Sequence, residues 1–349
     1  MSDTPPPPPG SPSPPTSRHL VHVQAKPGGF WRAISFVGAL LLFLMVFIAG
    51  IFFGVLGTLI EPDVIMEKTY RDGDRNRIAI LPIEGLITDR QARFSRSAVE
   101  HLLDDRRLRA VVLRVDSPGG GVTASDQIWY QVDRLRQAGI PVIASYGGVA
   151  ASGGYYVSCH ADHIVAETTS ITGSIGVIAQ IMTLEGLMDK VGIEPVTIVA
   201  TGSPEKDVAN NLFREWTEND RQQVLSIIDG AYETFKERVQ NGRSGVIVDE
   251  SNLAAVANGS VFTAQQALDT GLIDSIGYLD DAIAEAERQA GLTAGRSTVV
   301  RLSEPPTLFG DSLFLRRHDS STTMRRIDGE SLRDLVNDLA TPRIMYLMR

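Results

Sequence analysis

The chain has 349 residues, of which 43% are hydrophobic and 21% charged, with a formal net charge of −9. This composition excludes a disordered protein and leaves room for one large or two modest folded domains with additional segments. The acidic balance, without a clustered basic face, argues against nucleic acid as a partner. The single cysteine, Cys159, cannot form a disulfide within the chain, so cysteine content leaves the compartment open.

Two segments precede the part of the chain that predicts a folded domain. Residues 1–29 are rich in Pro and Ser, so they predict a disordered cytoplasmic tail. Residues 33–60 contain 28 residues without one charged side chain. As a helix they would extend about 42 Å, enough to cross a hydrocarbon layer of roughly 30 Å with some tilt. They therefore predict one transmembrane helix; a buried soluble helix and a cleaved signal peptide are the alternatives.

Charges beside this segment indicate its orientation. Arg18, Lys26 and Arg32 precede it, whereas Glu61 and Asp63 follow it directly. Basic residues favour the cytoplasmic side, so the tail is expected inside and everything after the span outside. The expected location is the inner membrane of a bacterial cell.

After a polar linker over residues 61–77, short apolar runs bounded by turn residues predict buried strands. A helix with Ile128, Val132 and Leu135 on one face and Gly139 at its end lies between two of them. Strand, helix and strand in this order predict parallel pairing through a right-handed crossover. The predicted strands are Ile78–Ile87, Ala110–Val115, Pro141–Ser145, His163–Glu167 and Val196–Val199.

A long helix is predicted to begin near Thr217, where Asp220 replaces the usual Glu of a capping box. Strand and helix signals continue to about residue 291, so residues 78–291 predict one α/β catalytic domain. The apolar stripe of the long helix contains Val224, Ile228, Ala231 and Phe235. Residues 292–349 form a polar, irregular extension with an apolar end, 343–349, which either docks on a neighbour or forms a packed edge.

Two glycine-rich segments follow predicted strands. Asp116-Ser-Pro-Gly-Gly-Gly121 stands before a helix, where backbone N–H groups are free to face a developing negative charge, although a plain turn is the alternative. It lacks the ending of a Walker loop. In Gly148-Val-Ala-Ala-Ser-Gly-Gly-Tyr-Tyr-Val157, Ser152 stands among small residues. Such a strip indicates either close helix packing or a hydroxyl that a substrate can reach.

A serine nucleophile needs a base, and the six histidines are poor candidates. His160 and His163 are the nearest in sequence to Ser152, but their context indicates a sheet edge. Cys159 with a neighbouring histidine resembles a thiol protease pair, although a buried structural cysteine is the commoner case. The remaining histidines lie in the tail, a charged stretch or the irregular end: His19, His22, His101 and His318.

A lysine can replace histidine if burial lowers the pKa of its amine. Only Lys190 and Lys206 lie between Ser152 and the long helix. Lys190 has the context of a solvated helix end. Lys206 follows a predicted strand, in the kind of loop where active sites gather, although an exposed structural lysine is the alternative.

Six ordered motifs within residues 78–291 resemble those of the bacterial signal peptide peptidase SppA family of serine-lysine peptidases. Each motif alone is weak, but their order is specific. The resemblance implies an α/β domain of the ClpP/crotonase-like fold, built from repeated β-β-α units and preceded here by the transmembrane helix. The motifs are Ile83-Glu-Gly85, Asp116-Ser-Pro-Gly-Gly120, Ala150-Ala-Ser-Gly-Gly-Tyr-Tyr156, Thr172-Gly-Ser-Ile-Gly-Val177, the loop from Gly202 to Asp207, and Ala267-Leu-Asp-Thr-Gly-Leu-Ile-Asp274.

The resemblance implies Ser152 as nucleophile and Lys206 as general base, with Ser174 hydrogen-bonded to the lysine amine. It also implies an oxyanion hole formed by backbone N–H groups, those of Gly119, Gly120 and Gly153. The family's base loop runs Gly-x-x-Lys, whereas this chain has Gly202-Ser-Pro-Glu-Lys206, one residue longer. A carboxylate next to the lysine favours the charged amine and so opposes catalysis.

The implied function is a membrane-anchored endopeptidase for signal peptide remnants or other short membrane-derived peptides, without a metal or cofactor. The resemblance further implies a homo-oligomeric ring in which serine and lysine come from adjacent subunits. A catalytically inactive scaffold or chaperone-like ring is the alternative that the longer lysine loop favours. Acyl-CoA chemistry on the same fold is a third hypothesis, which the membrane anchor disfavours.

Overall fold

A computed structural model describes the following residues: 36–38, 40–48, 50, 65–181, 183–207, 213–246, 250–305 and 343–347. The chain divides into two units, Met1–Pro62 and Asp63–Arg349. In the first unit, residues 36–38, 40–48 and 50 are helical. None of the helices among the described residues combines the length and apolarity that crossing a membrane requires. The tail and the rest of the segment 33–60 lie outside the described residues, so the single span stays a prediction.

The second unit is a mixed α/β fold. Its strands are Met66–Arg71 (β1), Arg77–Glu84 (β2), Leu108–Ser117 (β3), Gly119–Gly121 (β4), Val142–Ala151 (β5), His163–Ala166 (β6), Ile171–Gly173 (β7), Ile178–Gln180 (β8), Val261–Thr263 (β9), Ser275–Ile276 (β10), Thr298–Ser303 (β11) and Arg343–Leu347 (β12). Its α-helices are Asp89–Asp104 (α1), Val122–Gln137 (α2), Gly153–Tyr156 (α3), Glu185–Val191 (α4), Glu218–Gly242 (α5), Glu250–Val256 (α6), Ala264–Asp269 (α7) and Leu279–Gln289 (α8).

The central sheet has the order β1-β11-β2-β3-β5-β6-β10. Strands β2, β3, β5 and β6 pair in parallel, as predicted, and β1 lies antiparallel to β11. Two strands of this sheet, β1 and β11, thus lie in sequence before and after the predicted domain 78–291. Its central strands are buried on both faces, which explains their nearly continuous apolar sequences.

Successive residues of β2 enter two different cores because side chains of a strand alternate between faces. Ile78 and Ile80 pack in a cluster with Ile283 of α8. Ala79 and Leu81 belong to the larger cluster on the other face, which also contains the α2 stripe Ile128, Val132 and Leu135. The predicted helix and its buried face are thus confirmed, and Gly139 follows the C-cap residue Ala138 at φ +76°. Helices cover both faces of the sheet.

The predicted long helix is confirmed as α5, and Thr217 and Asp220 form the expected capping box. The predicted strand 196–199 is wrong. Val196 and Ile198 are 79% and 92% exposed, and residues 193–200 have no regular structure. Their apolar side chains satisfy a strand propensity, but a strand also needs a neighbouring strand to accept its backbone hydrogen bonds.

The predicted glycine-rich turn after β3 is also different in the structure. Asp116 and Ser117 continue β3, and Gly119–Gly121 forms the short strand β4 before α2 begins. β4 belongs to a second sheet of three strands in the order β4-β12-β8. The apolar end of the chain, one of whose expected roles was a packed edge, therefore supplies the middle strand of this sheet.

Candidate active site

Ser152 occupies a strained turn between a strand and a helix. β5 continues to Ala151, beyond the predicted end at Ser145, and α3 begins at Gly153. Ser152 itself has φ 53° and ψ −115°, a conformation that non-glycine residues rarely adopt and that costs on the order of 1–3 kcal/mol. The hydrogen bond from the Ser152 N–H to the carbonyl oxygen of Gly173 (2.7 Å) helps to hold this geometry. The turn resembles those on which nucleophiles are presented.

The hydroxyl group of Ser152 is buried and has no hydrogen-bond partner within the described parts of the chain. Buried hydroxyls are almost always paired, because an unpaired one loses its hydrogen bonds to water. An unpaired serine on a strained turn therefore points to a functional role.

The small residues after Ser152 allow two segments of backbone to touch. A Cβ atom on Gly154 would lie 2.8 Å from the carbonyl oxygen of Ser117. A Cβ atom on Gly153 would lie 3.1 Å from both the Cα atom of Gly119 and the nitrogen of Gly120. The small residues thus allow close packing, which brings β4 next to the serine turn.

β4 is fixed on one side by Ile87. The Ile87 N–H donates to the carbonyl oxygen of Gly119 (2.8 Å), and the Gly121 N–H donates to the carbonyl oxygen of Ile87 (3.0 Å). Backbone groups of a strand alternate in direction, so the N–H of Gly120 faces the opposite side. The Gly119 N–H, at φ +105°, instead donates to the Ser117 hydroxyl (3.1 Å). The structure thus brings the three predicted oxyanion glycines together, with the Gly119 N–H already engaged.

Ser117 is a residue of this site that the sequence reasoning missed. Its hydroxyl orients the Gly119 peptide, and its carbonyl oxygen contacts Gly154. Its position inside the Asp116–Gly120 motif was the available signal.

Ser174 lies close to the serine turn through the backbone. β7 pairs in parallel with the end of β5, and Ser174 directly follows β7. Like Ser152, it is a buried serine with a positive φ, of 52°. The Ser174 N–H donates to the carbonyl oxygen of Ser260 (2.7 Å), which fixes this second strained position.

Lys206 forms no hydrogen bond with the Ser152 hydroxyl in the described part of the chain. It is exposed and lies on a short 3-10 helix, Pro204–Asp207. This helix is joined to the start of α5 through Arg214, whose guanidinium donates to Asp207 (2.8 Å) and to Asp220 (2.6 Å). These contacts tie the loop that carries the lysine to α5, and the dyad of Ser152 and Lys206 stays a prediction.

The unusual acid of this loop, Glu205, is held by other partners. Its carboxylate accepts hydrogen bonds from the side-chain amides of Asn219 (2.7 Å) and Gln223 (2.6 Å) on α5. Glu205 therefore anchors the loop to α5, and the amide partners compete for the carboxylate that was expected to oppose catalysis.

Cys159 and His160, which are near Ser152 in sequence, are both buried. Burial raises the pKa of the Cys159 thiol to about 12, which keeps it protonated. His160 is buried rather than at a sheet edge, and its ring lies 4.7 Å from that of Trp129. Burial, with Arg136 and Arg238 nearby, lowers the pKa of His160 to about 3. His163 contacts the hydroxyl of Ser275 (2.9 Å).

The arrangement places the backbone of Gly119 and Gly120 beside the turn that carries Ser152. Across the described ranges, no three His, Cys, Asp or Glu side chains are grouped as metal ligands.

Comparison with known proteins agrees with this geometry. The model of Peptidase family S49 matches residues 134–293. A protein of Enterococcus faecium named "Putative signal peptide peptidase SppA" is 30% identical over 260 residues, which cover 71% of this chain and 73% of that protein. "Serine protease SPPA, chloroplastic" of Arabidopsis thaliana is 34% identical and "Protease 4" of Haemophilus influenzae 33% identical. The matches cover 69% and 61% of this chain, and 36% and 35% of those longer proteins.

The family match includes Ser152, Ser174 and Lys206, and the longer pairwise matches cover more than two thirds of this chain. These likenesses agree with the ordered motifs, with the central parallel sheet and with the close approach of β4 to the serine turn. The chain therefore belongs to the SppA family of S49 peptidases.

Proposed function

We propose that the chain is a membrane-anchored serine endopeptidase that uses Ser152 as nucleophile and Lys206 as general base. The observation that carries this proposal is the strained turn at Ser152, whose buried hydroxyl has no partner among the described residues and which lies beside the backbone of Gly119 and Gly120. Peptidase membership and this geometry together favour acyl-enzyme chemistry over any use of the buried Cys159.

In this mechanism the uncharged amine of Lys206 takes the proton of the Ser152 hydroxyl while its oxygen attacks a peptide carbonyl. The negative charge that develops on the carbonyl oxygen is stabilised by backbone N–H groups, those of Gly120 and Gly153. The ammonium then protonates the leaving amine. Water, deprotonated by the same lysine, releases the acyl group from Ser152 and restores the enzyme.

The lysine is proposed to come from an adjacent subunit. Lys206 is exposed, and among the described residues the Ser152 hydroxyl has no hydrogen-bond partner, so a second subunit could supply the contact that each group needs. Exposed apolar side chains at Ile193, Val196 and Ile198, which precede the lysine loop, favour burial against a second subunit. A closed homo-oligomeric ring would complete every site in the same way.

The proposed substrates are signal peptide remnants and other short peptides released from the membrane. The predicted span at residues 33–60 would anchor the catalytic domain on the outer side of the bacterial inner membrane, close to such peptides. A ring with its catalytic groups inside would admit short or unfolded chains and exclude folded proteins.

Labelling by a fluorophosphonate probe tests the nucleophile and the base together. The assembled wild-type protein is expected to be labelled, whereas Ser152→Ala and Lys206→Ala are expected to lose labelling. Lys190→Ala is the matched control, because Lys190 is an exposed lysine at the end of α4 and should leave labelling unchanged.

Mixed assembly tests the sharing of the dyad. If Ser152→Ala and Lys206→Ala subunits combine at random, about a quarter of the sites in a ring regain both groups. Recovery of about that fraction supports a shared dyad, whereas no recovery contradicts it. If the assembled wild-type protein is not labelled at all, the enzyme proposal fails and an inactive scaffold, which the exposed Lys206 would then fit, replaces it.

A further inference from the structure

A cavity of about 760 Å³ lies between α5 and the segments that follow β7 and α6. It begins at Ser174, the residue after Gly173, whose carbonyl oxygen accepts the hydrogen bond from the Ser152 N–H. A sphere of this volume would be about 11 Å across, within the size range of pockets that bind small ligands. One wall of the cavity is therefore bonded to the turn that carries Ser152, and the mechanism proposed above does not use the cavity.

Hydrogen bonds between two segments fix the walls of the cavity. The Ser174 N–H donates to the carbonyl oxygen of Ser260 (2.7 Å), and the Gly259 N–H donates to the carbonyl oxygen of Ile175 (3.0 Å). A Cβ atom on Gly176 would lie 3.4 Å from the Cα atom of Gly259, so the two segments are also in close contact. The cavity is thus formed before a ligand binds, which lowers the entropic cost of binding.

Apolar side chains supply much of the lining. Such a surface attracts the hydrocarbon part of a ligand, because contact with it removes apolar area from water. Val261 is 47% exposed, so this surface is open to solvent. The branched aliphatic residues of the lining are Ile175, Val177, Ile178, Ile228 and Val261.

Of the described residues that line the cavity, Asp229 alone carries a charge. It is exposed on α5, and its carboxylate forms no hydrogen bond or ion pair with the described residues. Two other polar side chains of the lining are already paired: the Tyr232 hydroxyl donates to the carbonyl oxygen of Ala257, and the Asn258 amide oxygen accepts from the Ser260 N–H (3.0 Å). The Asp229 carboxylate is therefore available to a ligand, and it favours a ligand that carries a cation.

We propose that this cavity binds one lysine or arginine side chain of the peptide substrate, with the hydrocarbon stem against the apolar lining and the cation at Asp229. This inference rests on the proposed function, because it takes Ser152 as the nucleophile that cuts the same peptide. Lysine and arginine suit the cavity because each carries an apolar stem with a charge at its end. Asp229 is thus a specificity-determining residue.

The subsite narrows the class of peptide that the site takes. A signal peptide has a positively charged n-region followed by an apolar h-region. A cation held in the cavity that begins at Ser174 places the neighbouring peptide bonds near the Ser152 turn, so cleavage is expected close to the boundary between these two regions. Peptides from the middle of an apolar segment, which carry no cation, should be cut more slowly.

Fluorogenic peptides that differ at one position, lysine against norleucine, test the subsite in the assembled protein, with that position moved through each residue beside the cleaved bond. Norleucine keeps the stem and removes the charge. At the best position, kcat/KM for the lysine peptide should be about fivefold higher, the effect of an ion pair in contact with solvent. Asp229→Asn should reduce this ratio to about one, and Asp229→Lys should invert it.

Two controls accompany this measurement. Glu237→Gln is the matched variant, because Glu237 is an exposed acid of the same helix that does not line the cavity, and it should keep the ratio. Ionic strength gives a second readout, because salt screens charges that are in contact with solvent. At 1 M salt, where the Debye length is about 3 Å, the preference of the wild-type protein for lysine should largely disappear.

Binding to the Ser152→Ala protein separates this inference from the proposed function, because it requires no catalysis. In fluorescence anisotropy the lysine peptide should bind about fivefold more tightly than the norleucine peptide, and Asp229→Asn should remove the difference. That result without peptidase activity in any Ser152-containing form would overturn the proposed function and keep the subsite. A ratio that Asp229→Asn leaves unchanged in an active enzyme would overturn the subsite. An equal loss of kcat/KM for both peptides would also overturn it, because Asp229 would then act on the base and not on the substrate.

Discussion

Gly153→Ala should impair catalysis through a displacement that the structure defines. The φ of Gly153 is not in the positive region, so alanine suits its backbone. The added Cβ atom, however, would lie 2.7 Å from the Oγ atom of Ser125 and 3.1 Å from the Cα of Gly119 and the nitrogen of Gly120. β4 and the serine turn must therefore separate by a few tenths of an ångström.

The Cβ atom of Gly153→Ala collides with Ser125 on one side and with Gly119 and Gly120 on the other, and the two contacts affect stability and catalysis separately. Overpacking of a close contact costs about 1–3 kcal/mol in the free energy of unfolding. Removal of one oxyanion donor lowers kcat about 100- to 1000-fold, so a displaced donor should lower it about tenfold to hundredfold. Ser125→Ala should relieve the first collision at little cost, because its buried hydroxyl has no hydrogen-bond partner among the described residues. It cannot relieve the contact with Gly119 and Gly120.

The assay is a double-mutant cycle that measures both unfolding by urea and the rate of fluorophosphonate labelling. Adding Ser125→Ala to Gly153→Ala should restore part of the stability and little of the labelling rate. Gly148→Ala is the matched control, since a Cβ atom there lies 3.7 Å from the nearest atom of Asp116, an ordinary contact. Labelling of Gly153→Ala at the wild-type rate would refute the reasoning that β4 supplies the oxyanion hole.

Three further predictions concern charge and burial. Because burial raises the pKa of Cys159 to about 12, its thiol should resist iodoacetamide at about pH 8 until the protein unfolds; modification of the native form would show it accessible. Asp274→Ala should cost about 3–5 kcal/mol in urea unfolding, because it leaves the buried guanidinium of Arg243 without its paired carboxylate; a loss below 1 kcal/mol would contradict this. The hydrogen bond from Arg214 lowers the pKa of Asp220 below its ordinary 3.8. The ionised Asp220 therefore stabilises the folded state fully above pH 3.8, and this stabilisation is lost as the pH falls further. Asp220→Asn should therefore weaken the dependence of the free energy of unfolding on pH at acidic pH.

The sequence predicted those parts of the fold that local patterns determine. The parallel strands were recognisable because buried strands read as uninterrupted apolar runs, and α2 because Ile128, Val132 and Leu135 repeat with helical spacing. Thr217 and Asp220 marked the start of α5 for the same local reason. Val196 and Ile198 show the limit, since their pattern indicates a strand but not whether a neighbouring strand is available.

The sequence named candidate residues for the site but did not predict their contacts. The small residues around Ser152 indicated close approach, yet the partner of that approach, β4, is set by packing between distant segments. The pairing of β12 with β4 and β8 depends on contacts across more than 150 residues of chain, for which sequence carries no local signal. The positive φ of Ser152 and Ser174 likewise arises from the surrounding strands. The proposed dyad would form between subunits, which a single sequence does not describe.

The ties between the lysine loop and α5 have a consequence for assembly. Arg214 links Asp207 to Asp220, while Asn219 and Gln223 hold Glu205, so both sides of Lys206 are bonded to one long helix. A loop that is ordered before association does not lose its conformational freedom at the moment two subunits meet. The position of Lys206 therefore depends on α5. In the proposed assembly, the orientation of this one helix would determine whether the Lys206 amine reaches Ser152 of the adjacent subunit.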